Sequence, residues 1–228
     1  MTLRVYIGFD EREAEAAMVA RSSLLKVSGI EPEFLRADRL RDAGLLSRIS
    51  DHRGQHYDLI SNAPKSTEFA VSRFLTPLLC QSGFALFVDC DVVFLRDPRE
   101  MLKGIKLDAA VSVVKHDYTP RAGMKMDGQV QSNYPGKNRS SVALYQCDHP
   151  ANRRLSLHDI NSRPGRDLHR FYWLHDAEIG TLDPAWNWLV NETDQPANLG
   201  IAHFTRGGPW LKDWTPMPHD EIWLQAAP

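Results

Sequence analysis

The string Phe87-Val-Asp89-Cys-Asp91-Val-Val-Phe-Leu95 places two carboxylates two residues apart between apolar runs. In extended backbone, side chains at i and i+2 point to one side, so the spacing suits a shared cation. Hard oxygen ligands favour Mg²⁺ or Mn²⁺, and such an ion clamps a diphosphate in turn. Taken alone, the tripeptide is equally well explained as a plain strand-to-turn transition. The apolar flanks tilt the balance, because carboxylates between buried strands are costly without a cation or counter-charge.

The elements that must position this pair are legible as hydrophobic patterns. Leu3 to Gly8 reads as a buried strand, followed by a helix over about 11–26 with apolar Ala17, Val19, Ala20, Leu24 and Leu25. Gly29 ends it, and 31–36 runs extended again. This βαβ opening predicts an α/β fold with a mainly parallel sheet flanked by helices. The stretch 46–64 is polar and patternless, and reads as a long loop. A helix over about 66–82 follows, carrying Phe69, Arg73, Phe74, Leu75, Leu78 and Leu79, with Pro77 marking a kink or an early start of the last turn. Strands are then expected at 85–89, 92–95, 108–115 and 141–146. The acid pair thus ends a central strand, which is where open α/β sheets bind ligands. The Gly-, Pro- and Asn-containing segment 117–139 is too long for a passive turn and is a candidate functional loop. A helix is expected after Asp148, and beyond it an irregular C-terminal lobe with few helix signals. All six tryptophans (Trp173, Trp186, Trp188, Trp210, Trp214 and Trp223) lie in the last quarter of the chain.

Composition limits the function classes. In 228 residues, Lys+Arg 27 against Asp+Glu 29 gives a formal charge of −2, which argues against nucleic-acid binding driven by bulk charge. No apolar run approaches the ~20 residues of a membrane span, and no signal segment is visible. Membrane association is therefore expected to be loose at most. Three cysteines without a CxxC pair do not make a disulfide framework, so a reducing cytoplasm is the expectation.

Three ordered pieces carry a resemblance: the start Tyr6-Ile-Gly-Phe-Asp10, the Arg73 segment leading into Asp89-Cys-Asp91, and the late Ala202-His203-Phe-Thr-Arg206-Gly207-Gly208-Pro-Trp210. Together they resemble the GT-A nucleotide-sugar glycosyltransferases of the glycogenin/galactosyltransferase-like group, family 8. The resemblance spans about 3–210 and implies one GT-A domain over 1–228. A nucleotide and metal half would occupy about 1–115, with an acceptor half and the Trp-rich lobe over about 116–228. It implies a metal shell of Asp89, Asp91 and His203, with the imidazole shifting preference toward Mn²⁺ over Mg²⁺. Donor contacts are implied for Ile7, Gly8, Asp10, Arg73 and Cys90. The family's late Lys-Pro-Trp is replaced here by Gly208-Pro209-Trp210, so Arg206 with the amides of Gly207 and Gly208 is the substitute anion site. Asn138 and Ser140 stand where the family carries a sugar-contacting segment. Asp176 is the best match to its acceptor-side acid, and Asn187 is expected near the acceptor. Arg73 and Asp176 are thus the implied catalytic pair. The implied reaction is hexose transfer from a UDP-sugar to a carbohydrate or glycoconjugate, with retention. Two alternatives stand beside it. Asp89 and Asp91 could be the nucleophile and acid/base of a HAD-type phosphatase, although a whole βαβ unit precedes them. The chain could also bind nucleotide-sugars without catalysis, since the Lys is lost.

Overall fold

A computed structural model describes residues 2–51, 56–116 and 140–227. The candidate loop and Asn138 therefore lie outside the described residues.

The opening unit forms as its pattern predicts. Strand β1 (Leu3–Phe9), helix α1 (Ala14–Ser28) and strand β2 (Glu33–Arg36) follow in order, with β1 and β2 paired in parallel. Gly29 closes α1 at φ 69°, a left-handed conformation that glycine adopts without strain on a Cβ. Helix α2 (Ala37–Asp42) follows directly.

The next two segments differ from expectation. Within 46–64, three two-residue strands, β3 (Ser50–Asp51), β4 (Tyr57–Asp58) and β5 (Ala63–Pro64), form a small antiparallel sheet. Its anchor is polar. Buried Arg48 is ion-paired to buried Asp58, and it donates to the carbonyls of Ile160 at 2.9 Å and Arg163 at 2.6 Å. A segment held by a buried ion pair shows no hydrophobic period, which is why it reads as a loop.

The helix expected over 66–82 is instead two 3₁₀ turns, Glu68–Ala70 and Ser72–Leu75, leading into the short α3 (Thr76–Cys80). Phe69, Ser72, Arg73, Phe74, Leu75 and Thr76 are all buried, so this stretch threads through the interior rather than lying on it with one wet face. Pro77 sits in the first turn of α3, where its missing N–H leaves no intrahelical bond unmade.

Strands β6 (Phe84–Val88), β7 (Val92–Phe94), β8 (Val111–Val113) and β9 (Val142–Gln146) then form, followed by helices α4 (Leu157–Ser162) and α5 (Gly165–His169). Strands β10 (Ile179–Thr181), β11 (Trp188–Leu189) and β12 (Ile201–His203) follow. The tail is less irregular than its sequence suggests, because it ends in helix α6 (Asp220–Ala226).

The large sheet has the order β10-β8-β9-β6-β1-β2, and β9 alone runs against its neighbours. This is the mainly parallel sheet expected. A second sheet, β11-β12-β7, packs against α1 and α6 through a separate apolar cluster of Val19, Val93, Trp188, Ala202, Phe204 and Trp223.

Candidate active site at the seam of two sheets

The acid pair is the junction between the two sheets. The backbone N–H of Asp89 donates to the Ser141 carbonyl at 2.9 Å, adding a rung beyond the β6–β9 ladder. The Asp91 carbonyl accepts from Phe204 N–H at 2.8 Å, one rung beyond β7–β12. Each carboxylate therefore hangs on a fixed backbone at the end of a different sheet. Strand β12 brings the third group, since His203 pairs with Val92. One ligand atom each from Asp89, Asp91 and His203 lies within 4.8 Å of the others.

The chemistry of this set fits a divalent cation. His203 Nε2 stands 3.3 Å from Asp91 Oδ1, while Nδ1 is 2.9 Å from Asn187 Oδ1. With the ring proton on Nδ1, a nitrogen lone pair faces a carboxylate. Two acceptors held face to face need a cation or a proton between them.

Arg73 provides the fixed positive charge. Its Nη1 is 2.9 Å from Asp89 Oδ1 and donates to the Ser140 carbonyl at 3.0 Å, and its Nε donates to the Ala70 carbonyl at 3.2 Å. The guanidinium lies over the rings of Phe69 and Phe87, at 5.5 and 5.0 Å from their centroids. A planar fork on aromatic faces, tied to two carbonyls, has little freedom left. Ser140 Oγ is 2.7 Å from Nδ1 of half-buried His169. Burial first, then the charges of Arg73 and Arg48, push that imidazole down to about 3.

The end of β1 rises beside Asp89, because Ile7 pairs with Val88. The side chain of Ile7 is fully buried, so that residue can offer only backbone to a ligand. Gly8 is tied to packing: a Cβ there would meet the Phe69 ring at 2.3 Å. Asp10 is already engaged, accepting from Arg12 N–H and side chain and from Glu68 N–H. Burial pushes its carboxyl up, but these donors outweigh that and leave it below its ordinary value. His56 adjoins the same group, 3.5 Å from Asp10 and 3.1 Å from Glu68.

Other expected site residues fall elsewhere. Cys90 is fully buried and its thiol donates to Glu13 at 3.1 Å, so between two site-facing acids it turns to the other side. Asp176 lies in the 3₁₀ turn that enters β10. The register runs Ile179–Val111–Tyr145–Ala85 at one end of the sheet and Thr181–Val113–Ala143–Phe87 at the other. Asp176 is thus at the sheet end remote from Asp89. The acid that β10 delivers to the site's end is exposed Asp183. Asn187 is fully buried behind His203, which removes it from direct acceptor contact. Arg206 is ion-paired to Glu192 at 3.0 Å, and the Gly207 N–H is used by the Phe204 carbonyl at 2.9 Å. The substitute anion site therefore lacks one of its two expected amides.

A cavity of about 640 Å³ beside Trp188 and His219 lies away from the acid pair and meets the candidate groups only at Glu192, the partner of Arg206. Trp188 pairs with Ala202, the neighbour of His203, so alternation sets it on the opposite face of the small sheet.

The polar neighbours His56, Glu68, His116, Ser141 and His169 were not legible in advance. They come from five separate segments, and no spacing links them. Asn187 carried a signal that pointed inward: a lone amide between two buried tryptophans.

No family model matches the chain. Protein CDI of Arabidopsis thaliana is 43% identical over 230 residues, covering 97% of this chain and 84% of that protein. Among solved structures, the glycosyltransferase GlyE of Streptococcus pneumoniae TIGR4 superposes with a TM-score of 0.58 at 13% identity. The match covers 99% of this chain and 60% of GlyE, so the chain spans less than two thirds of that protein. The galactosyltransferase LgtC, solved with donor and acceptor sugar analogues, gives 0.54 at 16% identity, over 98% of this chain and 95% of LgtC. At these identities the likeness is one of fold, and the fold is that of the GT-A glycosyltransferases.

Proposed function

This chain belongs to the family of Protein CDI of Arabidopsis thaliana, and on its GT-A fold we propose that it is a metal-dependent glycosyltransferase. It moves a hexose from a UDP-sugar to a carbohydrate or glycoconjugate acceptor, with retention at the anomeric carbon. The observation that carries this reading is the convergence of Asp89, Asp91 and His203 at the seam of the two sheets.

Asp89, Asp91 and His203 would hold a divalent cation, Mn²⁺ ahead of Mg²⁺ given the imidazole, and the chemistry it would supply there is neutralisation of charge on a diphosphate leaving group. The protein's own contribution is preorganisation. Arg73 fixes the Asp89 carboxylate and presents a charged fork beside it, where a donor sugar can be held. Ser140 and His169 supply a polar edge next to Arg73 for sugar hydroxyls. The β1 end offers backbone to the nucleotide, with Asp10 bracing the turn around it. Arg206 and the Gly208 amide remain the groups proposed for the diphosphate. Asp176, at the far sheet end, has no part in this scheme.

The phosphatase reading finds no support, since the first acid is tied to Arg73 and the fold is shared with glycosyltransferases. A reducing cytoplasmic setting fits three buried cysteines that form no disulfide among the described residues. None of the described helices is long and apolar enough to cross a membrane.

Mn²⁺ titration followed by the signal of the free ion tests the metal site. The wild type should bind Mn²⁺, more tightly when UDP is present, and Asp91→Ala and His203→Ala should each lose that binding. A wild type that binds neither Mn²⁺ nor UDP would overturn the proposal.

A further inference from the structure

The face of His203 away from the acids is held by an interior network that no expected role accounts for. Asn187 is fully buried, and its amide meets three groups from three other segments. Its Oδ1 is 2.9 Å from His203 Nδ1, and its Nδ2 lies 3.1 Å from Ser141 Oγ and 3.1 Å from His116 Nε2. Ser141 also lends its carbonyl to the N–H of Asp89, so the amide is anchored to the strand end that carries the first acid.

We propose that Asn187 is a positioning residue that holds the His203 proton on Nδ1 and presents Nε2 to Asp91 as a lone pair. The inference rests on the metal-site reading above and supplies its missing part, the device that selects the tautomer. Asn187 Nδ2 donates to the Ser141 hydroxyl oxygen and reaches His116 Nε2, which accepts when that ring carries its own proton on Nδ1, and this arrangement turns the carbonyl end of the amide to the His203 imidazole. A carbonyl accepts only from Nδ1–H, and a neutral ring with its proton there is a ligand at Nε2. The reverse arrangement, with the amide nitrogen against Nδ1, would put Nε2–H against Asp91 and fill the position a cation needs. Burial makes the choice stiff, because a mispaired amide in this interior would leave polar atoms without partners. Geometry thus passes from Ser141 and His116 through one amide to the metal-facing nitrogen.

The tautomer can be read directly, without turnover, from side-chain ¹⁵N spectra of the metal-free protein in alkaline buffer, with the His203 signal assigned by its loss in His203→Gln. The wild type should show a protonated Nδ1 and an unprotonated Nε2. Asn187→Leu should release that preference and weaken Mn²⁺ binding by about 10- to 100-fold. Asn187→Asp keeps an acceptor for Nδ1–H, and should retain both the tautomer and Mn²⁺ affinity near wild type even where thermal stability falls. A merely structural role predicts the opposite pattern, with affinity following stability in both variants. A wild type protonated at Nε2 would overturn the inference, as would a folded Asn187→Leu with unchanged tautomer and affinity. Should Asn187→Leu not fold, the wild-type spectrum and Asn187→Asp decide. A wild type that holds Nδ1–H yet binds no Mn²⁺ would sink the metal-site reading while leaving the positioning role intact.

Discussion

Arg73 illustrates how one side chain serves stability and chemistry together. It is buried, ion-paired to Asp89, tied to two carbonyls and laid over two aromatic rings. Removing it leaves a partly buried carboxylate without its counter-charge, so Arg73→Ala should cost about 3–5 kcal/mol in urea unfolding. Arg73→Lys keeps the charge but loses the planar fork. It should recover part of that stability while turnover stays roughly 10²-fold down. Asp176 makes the opposite case. It is exposed at the far sheet end, so Asp176→Ala should change stability by no more than about 0.5 kcal/mol and leave turnover near wild type. A large loss of turnover would contradict the register argument. The acid pair was legible in the sequence from its i, i+2 spacing between apolar flanks, and His203 only through the resemblance of the late His203-to-Trp210 motif. The positions of Asp176 and Cys90 were not, since a short motif gives neither the sheet end at which a residue sits nor the side to which it points.

At the scale of elements, the passage of 68–75 through the interior fixes both the donor end and Arg73. Phe69 fills the space above Gly8, where a Cβ would approach its ring to 2.3 Å. Gly8→Ala should therefore cost about 1–3 kcal/mol through overpacking. Combining it with Phe69→Leu should recover part of that loss as a measurable coupling. If the two changes simply add, the glycine is not there for Phe69. His169 on α5 gives the pH dependence. Its folded value of about 3 lies below the ordinary ~6.5, so the unfolded chain takes up the proton first. Stability from keeping it neutral is complete above about 6.5 and is lost as pH falls toward 3. His56, lowered chiefly by burial, acts in the same direction. Denaturant unfolding across this range should show a shallower acid slope for His169→Gln than for wild type. The central strands were legible as short continuous apolar runs and α1 from its period of 3.6. The 46–64 segment was not, because its buried charges leave no hydrophobic period, and 66–82 reads as one helix because its apolar spacing mimics a helix face although the chain there is buried on every side.

For the whole molecule, the skew of tryptophan toward the C-terminal quarter resolves into packing in two places. Trp173 belongs to the large core beside Phe74 and Phe171. Trp188 and Trp223 close the smaller cluster on α1 and α6. Trp210 leans on Phe204, directly after His203, and so braces the return of the imidazole to the acids. The seam carrying Asp89 and Asp91 thus has a packed core behind each sheet, and ligand binding at the seam should tie the two together. Mn²⁺ with UDP should raise the unfolding temperature, by the equivalent of about 2.7 kcal/mol at a hundredfold excess over Kd, and Asp91→Ala should abolish the gain. Metal-dependent transfer by this site is tested by UDP release from a panel of UDP-hexoses, measured with Mn²⁺ and again with chelator. Release should require the ion and disappear in Asp91→Ala. Release unaffected by chelation, or UDP-sugar binding with no release on any acceptor, would contradict it.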